Sequence, residues 1–342
     1  MTTIGSLFTG YGGLEMGAAM AIDPDARVAW TSDVGPGPRR LAEVRWPGVP
    51  NLGDITKVDW TQVEPVDVIC GGSPCQDLST AGRRAGMSEG TRSALWESML
   101  NAVDEIRPGL VVWENVEGAL HASGDRSVGR AEEVLGTGSA EPVIRAAGRV
   151  AGDLAGIGYD AVWRVVPAAS VGAPHRRARL FIIAYPAGQP WLVRGRADAG
   201  KTPFGRALSF ARRRRRAPAR ELMPTPQATT ATYSSAGYGA NLHEVVSSQC
   251  GFGEYSEAIA RWEWVLGRPA PTPAEMPLRG TKPRLSAAFV EWMMGLHAGH
   301  VTGGDLALTR EQTLRLLGNG VVPLQAAVAV YQLLLAVEVM HA

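Results

Sequence analysis

Over the first 185 residues, short apolar runs alternate with amphipathic stretches, a pattern that predicts a parallel sheet covered by helices. The runs predict strands at Ile4–Phe8, Arg27–Thr31, Val66–Cys70, Leu110–Trp113, Ala161–Val166 and Leu180–Ala184. Helical spacing falls at Gly13–Met20, Pro38–Val44, Arg92–Ile106 and Pro142–Leu154. From Pro186 the periodicity fades into Gly, Pro, Arg, Ser and Thr, as in ARRRRRAPAR and MPTPQATTATYSSAGYG. That segment reads as a small loop-rich domain or as partly disordered chain. Order returns after Pro283, where SAAFVEWMMGL predicts an amphipathic helix and Val322–Val339 a more apolar one that packs back on the first domain. The chain thus divides into 1–185, 186–280 and 281–342, the last completing the first.

Composition changes this picture little. At 342 residues, with 45% hydrophobic and 20% charged residues, the chain can bury a sizeable core in one large domain or two moderate ones. No run is read as approaching the roughly 20 apolar residues that span a bilayer, and MTTIGSLFTG lacks a basic segment followed by an apolar one. The expectation is a cytoplasmic protein with no membrane partner. The three cysteines, Cys70, Cys75 and Cys250, cannot all pair within the chain and have no zinc-like spacing, so free thiols and no metal are expected. Charge is informative by position: 186–280 holds 13 Lys and Arg against 7 Asp and Glu, where a polyanion could use the excess.

Four segments carry candidate chemistry. In SLFTGYGGLEMG, Gly10, Gly12 and Gly13 let backbone approach a ligand before a helix starts, or simply form a tight packing turn. Asp33, about twenty residues on at the end of the second strand, is placed to accept from ribose hydroxyls. In GGSPCQDLSTAGRRAG, Cys75 sits on a polar loop with Arg83, Arg84 and Arg92 near in sequence, a setting for a thiolate nucleophile or an exposed structural cysteine. Cys70 ends an apolar strand and reads as a buried small hydrophobe. VVWENVEG puts Glu114 and Asn115 at the carboxyl edge of the sheet, as a ligand-facing acid or a capping one. GAPHRRARLFIIA carries Arg177 and Arg179 toward an apolar strand, where strand-edge charges are the ordinary reading.

Taken in order, these segments resemble the C5-cytosine DNA methyltransferase family of bacterial or phage type. FTGYGG resembles its cofactor loop, SPCQ its nucleophile motif, ENV its glutamate motif and HRRAR its Gln-x-Arg-x-Arg motif. PRLS at 283–286 and GNGVVP at 318–323 resemble its two C-terminal motifs. The resemblance implies an α/β fold, the Rossmann-like doubly wound sheet of S-adenosylmethionine-dependent methyltransferases, with a smaller target-recognition domain at 186–280. It implies Cys75 as nucleophile, Glu114 on the base, Arg177 on the pyrimidine O2 with Arg179 beside it, and a flipped target nucleotide. The stretch Asp77–Thr91 would be a mobile loop closing over DNA.

For the cofactor S-adenosylmethionine, the matching positions are Phe8, Gly10, Gly12 and Gly13 at the methionine end and Asp33 on the ribose. Asp54 and Ile55 match near the adenine, with Pro74 ahead of the nucleophile and Asn319 returning from the C-terminus. Three departures stand out: Ser6 where the family commonly has an acid, His175 for the usual glutamine, and Val34 in SDVGPG where an aromatic is common. Candidate DNA contacts are Arg83, Arg84, Arg212, Arg213 and Arg214. Trp262 and Trp264 read as small-domain core. The implied partners are double-stranded DNA, bound by a monomer, and a separate restriction endonuclease if modification protects DNA. A transfer RNA cytosine-5 methyltransferase and a catalytically silent DNA-binding relative are the alternatives.

Overall fold

The computed structural model describes residues 1–73, 93–120, 123–127, 143–191, 202–216, 252–275 and 283–342. A six-stranded sheet forms its centre in the order β2-β1-β3-β4-β8-β7. β1 (Thr3–Leu7), β2 (Arg27–Ser32), β3 (Val68–Gly71) and β4 (Leu110–Val116) run parallel. β7 (Tyr159–Pro167) and β8 (Ala178–Pro186) form an antiparallel hairpin that joins the sheet through β8 against β4. Because β8 runs against β4, its first residues lie at the edge where the parallel strands end. The short β5 (Ser123–Ser127) pairs with β6 (Val143–Arg145) outside that sheet. The helix expected from Pro142 therefore starts only at Ala146, its first residues being taken by β6.

Continuous Val, Ile and Leu runs make the central strands, since both faces are covered. One face carries α1 (Gly13–Ile22) and α9 (Pro323–His341), the other α3 (Ser93–Ile106) and α4 (Ala146–Gly156). α1 and α9 approach closely because Gly17 has no Cβ: one placed there would lie 2.5 Å from Ala326 Cβ and 2.6 Å from Pro323 O. The buried Gln325 of α9 donates through Nε2 to Val166 O at 2.6 Å and Arg177 O at 2.8 Å, tying the C-terminus to the hairpin. The last helix thus packs back as expected. By length and composition alone, the stretch 310–341 is long and apolar enough to cross a bilayer, which corrects the reading that no such run exists; most of it is buried in this core.

The middle segment departs from its loop-rich expectation at two places. α5 (Pro203–Arg216) buries Phe204, Ala207, Leu208 and Ala211, a helical i, i+3, i+4, i+7 stripe, and α6 (Ser256–Leu266) buries Ile259, Trp262 and Val265. Both stripes join the apolar cluster that contains α1 and α9. The run Arg212–Arg216 is accordingly the end of a helix. Trp262 is core, but of the cluster shared with α1 and α9 and not of a small domain's own, with Nε1 donating to Trp292 O at 2.9 Å, and Trp264 packs at the margin of the same cluster. The remaining elements are α2 (Pro36–Arg45), the β9 (Ala274–Glu275) and β10 (Arg284–Leu285) pair, α7 (Ala287–Met293) and α8 (Arg310–Asn319). Ser286 of PRLS caps α7, its Oγ accepting from Phe289 N at 3.3 Å.

Candidate active site

At the edge where β1 to β4 end, a cavity of about 800 Å³ opens, walled by the loops after those strands and by α8. This is where an open α/β sheet holds its ligand. Phe8 leaves β1 in the left-handed region at φ 55°, a costly conformation for an aromatic residue, held by its N–H donating to Ser32 O at 2.8 Å. Gly10 and Gly12 follow at φ 57° and 82°. At Gly13 the reason for glycine is space, since a Cβ would lie 2.0 Å from Val321 O. The turn is thus both packed and ligand-facing: Tyr11 donates from its hydroxyl to Val321 O at 2.7 Å, and its ring lies against Gly320.

Asp33 joins the turn to the second strand. Its carboxylate accepts from Gly10 N at 3.0 Å and Gly35 N at 2.8 Å, and burial pushes its acidity weaker while those N–H groups pull the other way. Asp54 caps a short 3-10 turn by accepting from Thr56 N at 3.1 Å, which together with the Thr56 hydroxyl holds its carboxyl below the usual range. Ile55 is buried beneath it. Phe8, Gly10, Gly13, Asp33, Asp54, Ile55 and Asn319 all line the one cavity, as does the exposed Val34. Gln312, Arg315 and Leu316 of α8 line it too; sequence reading missed them, and the i, i+3, i+4 spacing ahead of GNGVVP was their only signal.

The same cavity reaches Glu114 and Asn115 at the end of β4. Glu114 lies opposite Phe181 in the β4–β8 register, so Arg179, two residues earlier on β8, is its diagonal neighbour on the same face. Arg179 Nε stands 3.0 Å from Glu114 Oε1, both side chains largely buried. Burial pushes the Glu114 carboxyl up, and Arg179 and then Arg177 pull it back. Gly72 leaves room for the acid, since a Cβ there would lie 3.1 Å from Glu114 Oε2. Asn115 Nδ2 donates to Ser73 O at 3.3 Å, fixing the end of β3 beside β4.

Arg177 is employed differently from Arg179. Its Nη2 donates to Gly318 O at 2.9 Å and Gly320 O at 2.6 Å, so it clamps the GNGVVP turn to the arginine motif. Its backbone at φ 26° is unusual for a non-glycine residue. His175 Nε2 lies 3.1 Å from Met293 O, a carbonyl that can only accept, so this nitrogen carries the proton, and burial disfavours a second one. Ser6 is fully buried; its single hydroxyl proton is donated to Glu15 Oε1, and its oxygen lies 2.8 Å from the Thr9 hydroxyl, from which it can accept. Cys70 is buried, its thiol pushed up by burial, as expected of a small hydrophobe.

Pro74, Cys75, Arg83, Arg84 and the expected loop Asp77–Thr91 lie outside the described residues. Arg212 and Arg213 are exposed at the end of α5, and Arg214 follows on the same helix.

The fold is a Rossmann-like sheet with its cavity at the edge where the parallel strands end. The family model for C-5 cytosine-specific DNA methylase matches residues 2–205, more than half of the chain, and the chain belongs to that family. It is 31% identical over 194 residues to the type II methyltransferase M.AquIA of Picosynechococcus, covering 52% of this chain and 69% of that one. Against M.NgoBV of Neisseria gonorrhoeae it is 27% identical over 179 residues, covering 52% of this chain and 39% of the relative. A DNA N-6-adenine-methyltransferase of Escherichia phage P1 is 30% identical over 202 residues, covering 49% of this chain but 27% of that protein. The chain thus spans from about a quarter to two fifths of the first curated relatives it matches. Among solved structures, the S. pombe Dnmt2 methyltransferase superposes with a TM-score of 0.55 at 13% identity over 99% of both chains. A DNA modification methyltransferase encoded within an E. coli prophage gives 0.52 at 17% identity, covering 97% of this chain and 98% of that one. At these identities the structural likeness bears on fold alone.

Proposed function

We propose that the chain transfers a methyl group to carbon 5 of cytosine in duplex DNA through a covalent adduct on Cys75, with S-adenosylmethionine as donor. The observation that carries the proposal is that one cavity joins the glycine turn and Asp33 to the buried Glu114–Arg179 pair. A nucleoside held at one end then faces a carboxyl group and a guanidinium at the other. The cavity fits the cofactor chemically: an acid with further accepting capacity at the ribose position, close-approach backbone at the amino-acid end, and a concave wall from α8. When bound, that cofactor supplies an electrophilic methyl on sulfonium.

Cytosine C5 is too weak a nucleophile to take that methyl unaided. In the proposed step the Cys75 thiolate adds to C6, forming a C–S bond and shifting the C5–C6 electron pair onto C5. Glu114 donates a hydrogen bond or proton at N3 as negative charge develops on the ring. Once C5 has been methylated, loss of its proton returns the electron pair to the ring and expels the Cys75 thiolate. Cys75 is two positions along the chain from Ser73 at the cavity wall, a reach of at most about 7 Å. Arg179 rather than Arg177 takes the role toward the base O2, because Arg177 is engaged by the Gly318 and Gly320 carbonyls.

The target base must leave the stack to reach such a pocket, at a cost of a few kcal/mol. Residues 186–280 are the proposed target-recognition segment, with Arg212, Arg213 and Arg214 neutralising phosphates. Type II methyltransferases among the relatives favour modification and self-protection of DNA as the purpose. The test is transfer of labelled methyl to duplex DNA and, separately, transfer RNA, with Cys75→Ser as control. Label on DNA cytosine that vanishes in the variant is the expected result. Label on RNA alone, or on adenine, overturns the proposal.

A further inference from the structure

The geometry points to Glu15 as the residue that receives the α-ammonium group of the cofactor's amino-acid end. This rests on the reading that the cavity holds S-adenosylmethionine, and it assigns a ligand contact to a residue outside the motif positions matched above.

Glu15 lies in the first turn of α1, directly after the glycine turn, and it lines the cavity although only 2% exposed. One carboxylate oxygen accepts from the Ser6 hydroxyl, while the other, Oε2, is buried with no hydrogen-bond partner among the described residues. A buried carboxylate oxygen left unpaired is expensive unless a ligand completes it. Burial pushes the carboxyl up to about 7, and the charged group acting on it among the described residues is a second acid, Asp33, which raises it further. The wall near the glycine turn therefore presents two acids, and Glu15 draws no support from a basic side chain among the described residues. What it lacks is a small cation that can donate hydrogen bonds.

An amino acid offers one at its α-carbon. Ser6, which stands where an acid is common in the family, makes sense in this light: it is small enough to admit the Glu15 carboxylate from the neighbouring helix and donates a hydrogen bond to orient it. Glu15, nine residues after Ser6, thus places an acid at the wall of the cavity. Asp33, bound to the Gly10 and Gly35 backbone N–H groups, stays at the nucleoside end. A cation at Glu15 favours its ionised form, so cofactor binding releases a proton when the pH lies near or below 7, and affinity rises as pH climbs through that region.

Calorimetry with S-adenosylhomocysteine and with its analogue lacking the α-amino group tests this without any turnover. The parent chain is expected to bind the amino form about 10- to 100-fold more tightly. Glu15→Gln is expected to erase that preference by weakening the amino form alone, and the paired exchange Ser6→Asp with Glu15→Ser to restore it. Equal affinity of the parent for both ligands overturns the inference whatever the variants do. So does a Glu15→Gln variant that weakens both ligands equally. A parent that binds neither ligand overturns the cavity reading itself, a result distinct from bound ligands that are not discriminated.

Discussion

A carboxyl group that must give a proton to a ring nitrogen is of no use when fully ionised, and one buried without a counter-charge would not ionise at all. Glu114 is set between these limits, raised by burial and partly restored by Arg179 at 3.0 Å. Glu114→Gln is expected to lower the methylation rate by roughly 10²- to 10⁴-fold while leaving S-adenosylhomocysteine affinity unchanged; equal loss in both would make it a structural acid instead. Because the protonated form acts, the rate should fall as pH rises through its pKa, a slope that single-turnover measurements can read. Glu15 gives a stability slope of the opposite kind from most carboxylates. Its folded-state value of about 7 exceeds the ordinary 4.5, so the folded chain binds more protons and loses stability as pH rises from about 4.5 to about 7. Glu15→Gln should therefore be the more stable chain at pH 8, by on the order of 3 kcal/mol, and comparable to the parent near pH 4, by urea denaturation. Glu114, Asp33, Gly10 and Gly13 were legible because each falls at or just after the end of an apolar run, whereas Gly12, matched to the cofactor, packs against Trp46 and does not line the cavity. Glu15 was not: inside LEMGAA it looks like any acid in a helix's first turn, and only packing shows that it faces Ser6 and the cavity. The division of labour between Arg177 and Arg179 was likewise invisible, since it depends on where the GNGVVP turn returns.

At the scale of elements, the strands were legible and the middle segment was not. Runs of four to six residues between turn signals found all six strands of the central sheet, because both faces of it are buried. α5 was hidden by composition: five consecutive arginines and nearby Gly and Pro outweighed the stripe of Phe204, Ala207, Leu208 and Ala211. A helix ending in arginines presents charge more regularly than a loop. Replacing Arg212 and Arg213 with alanine is expected to reduce the salt dependence of DNA binding by about one unit of log-log slope per lost phosphate contact, with little effect on cofactor affinity. An unchanged slope would remove α5 from the DNA-binding surface. α9 makes a second prediction through Gln325, which holds the Val166 and Arg177 carbonyls. Gln325→Leu should cost about 1–3 kcal/mol in urea unfolding, since both carbonyls lose a buried donor. By loosening the backbone at Arg177 it should weaken cofactor binding as well.

The whole molecule brings distant parts of the chain to one wall: Tyr11 bonds to Val321, Arg177 to Gly318 and Gly320, and His300 to the Tyr11 carbonyl. This explains how a chain interrupted by a basic middle segment brings its matched residues to the same cavity, and why motif order along the sequence predicts contents of the site better than their contacts. The central claim is a covalent bond between Cys75 and cytosine, and it can be tested without knowing the recognition sequence. A duplex in which every cytosine is 5-fluorocytosine cannot complete the reaction, because fluorine does not leave C5 as a cation. The expected result is a denaturation-stable complex of chain and DNA that forms only with S-adenosylmethionine, maps by proteolysis to the peptide carrying Cys75, and is absent in Cys75→Ser. Methylation of ordinary DNA with no trapped complex, or a complex mapped to another residue, would contradict it.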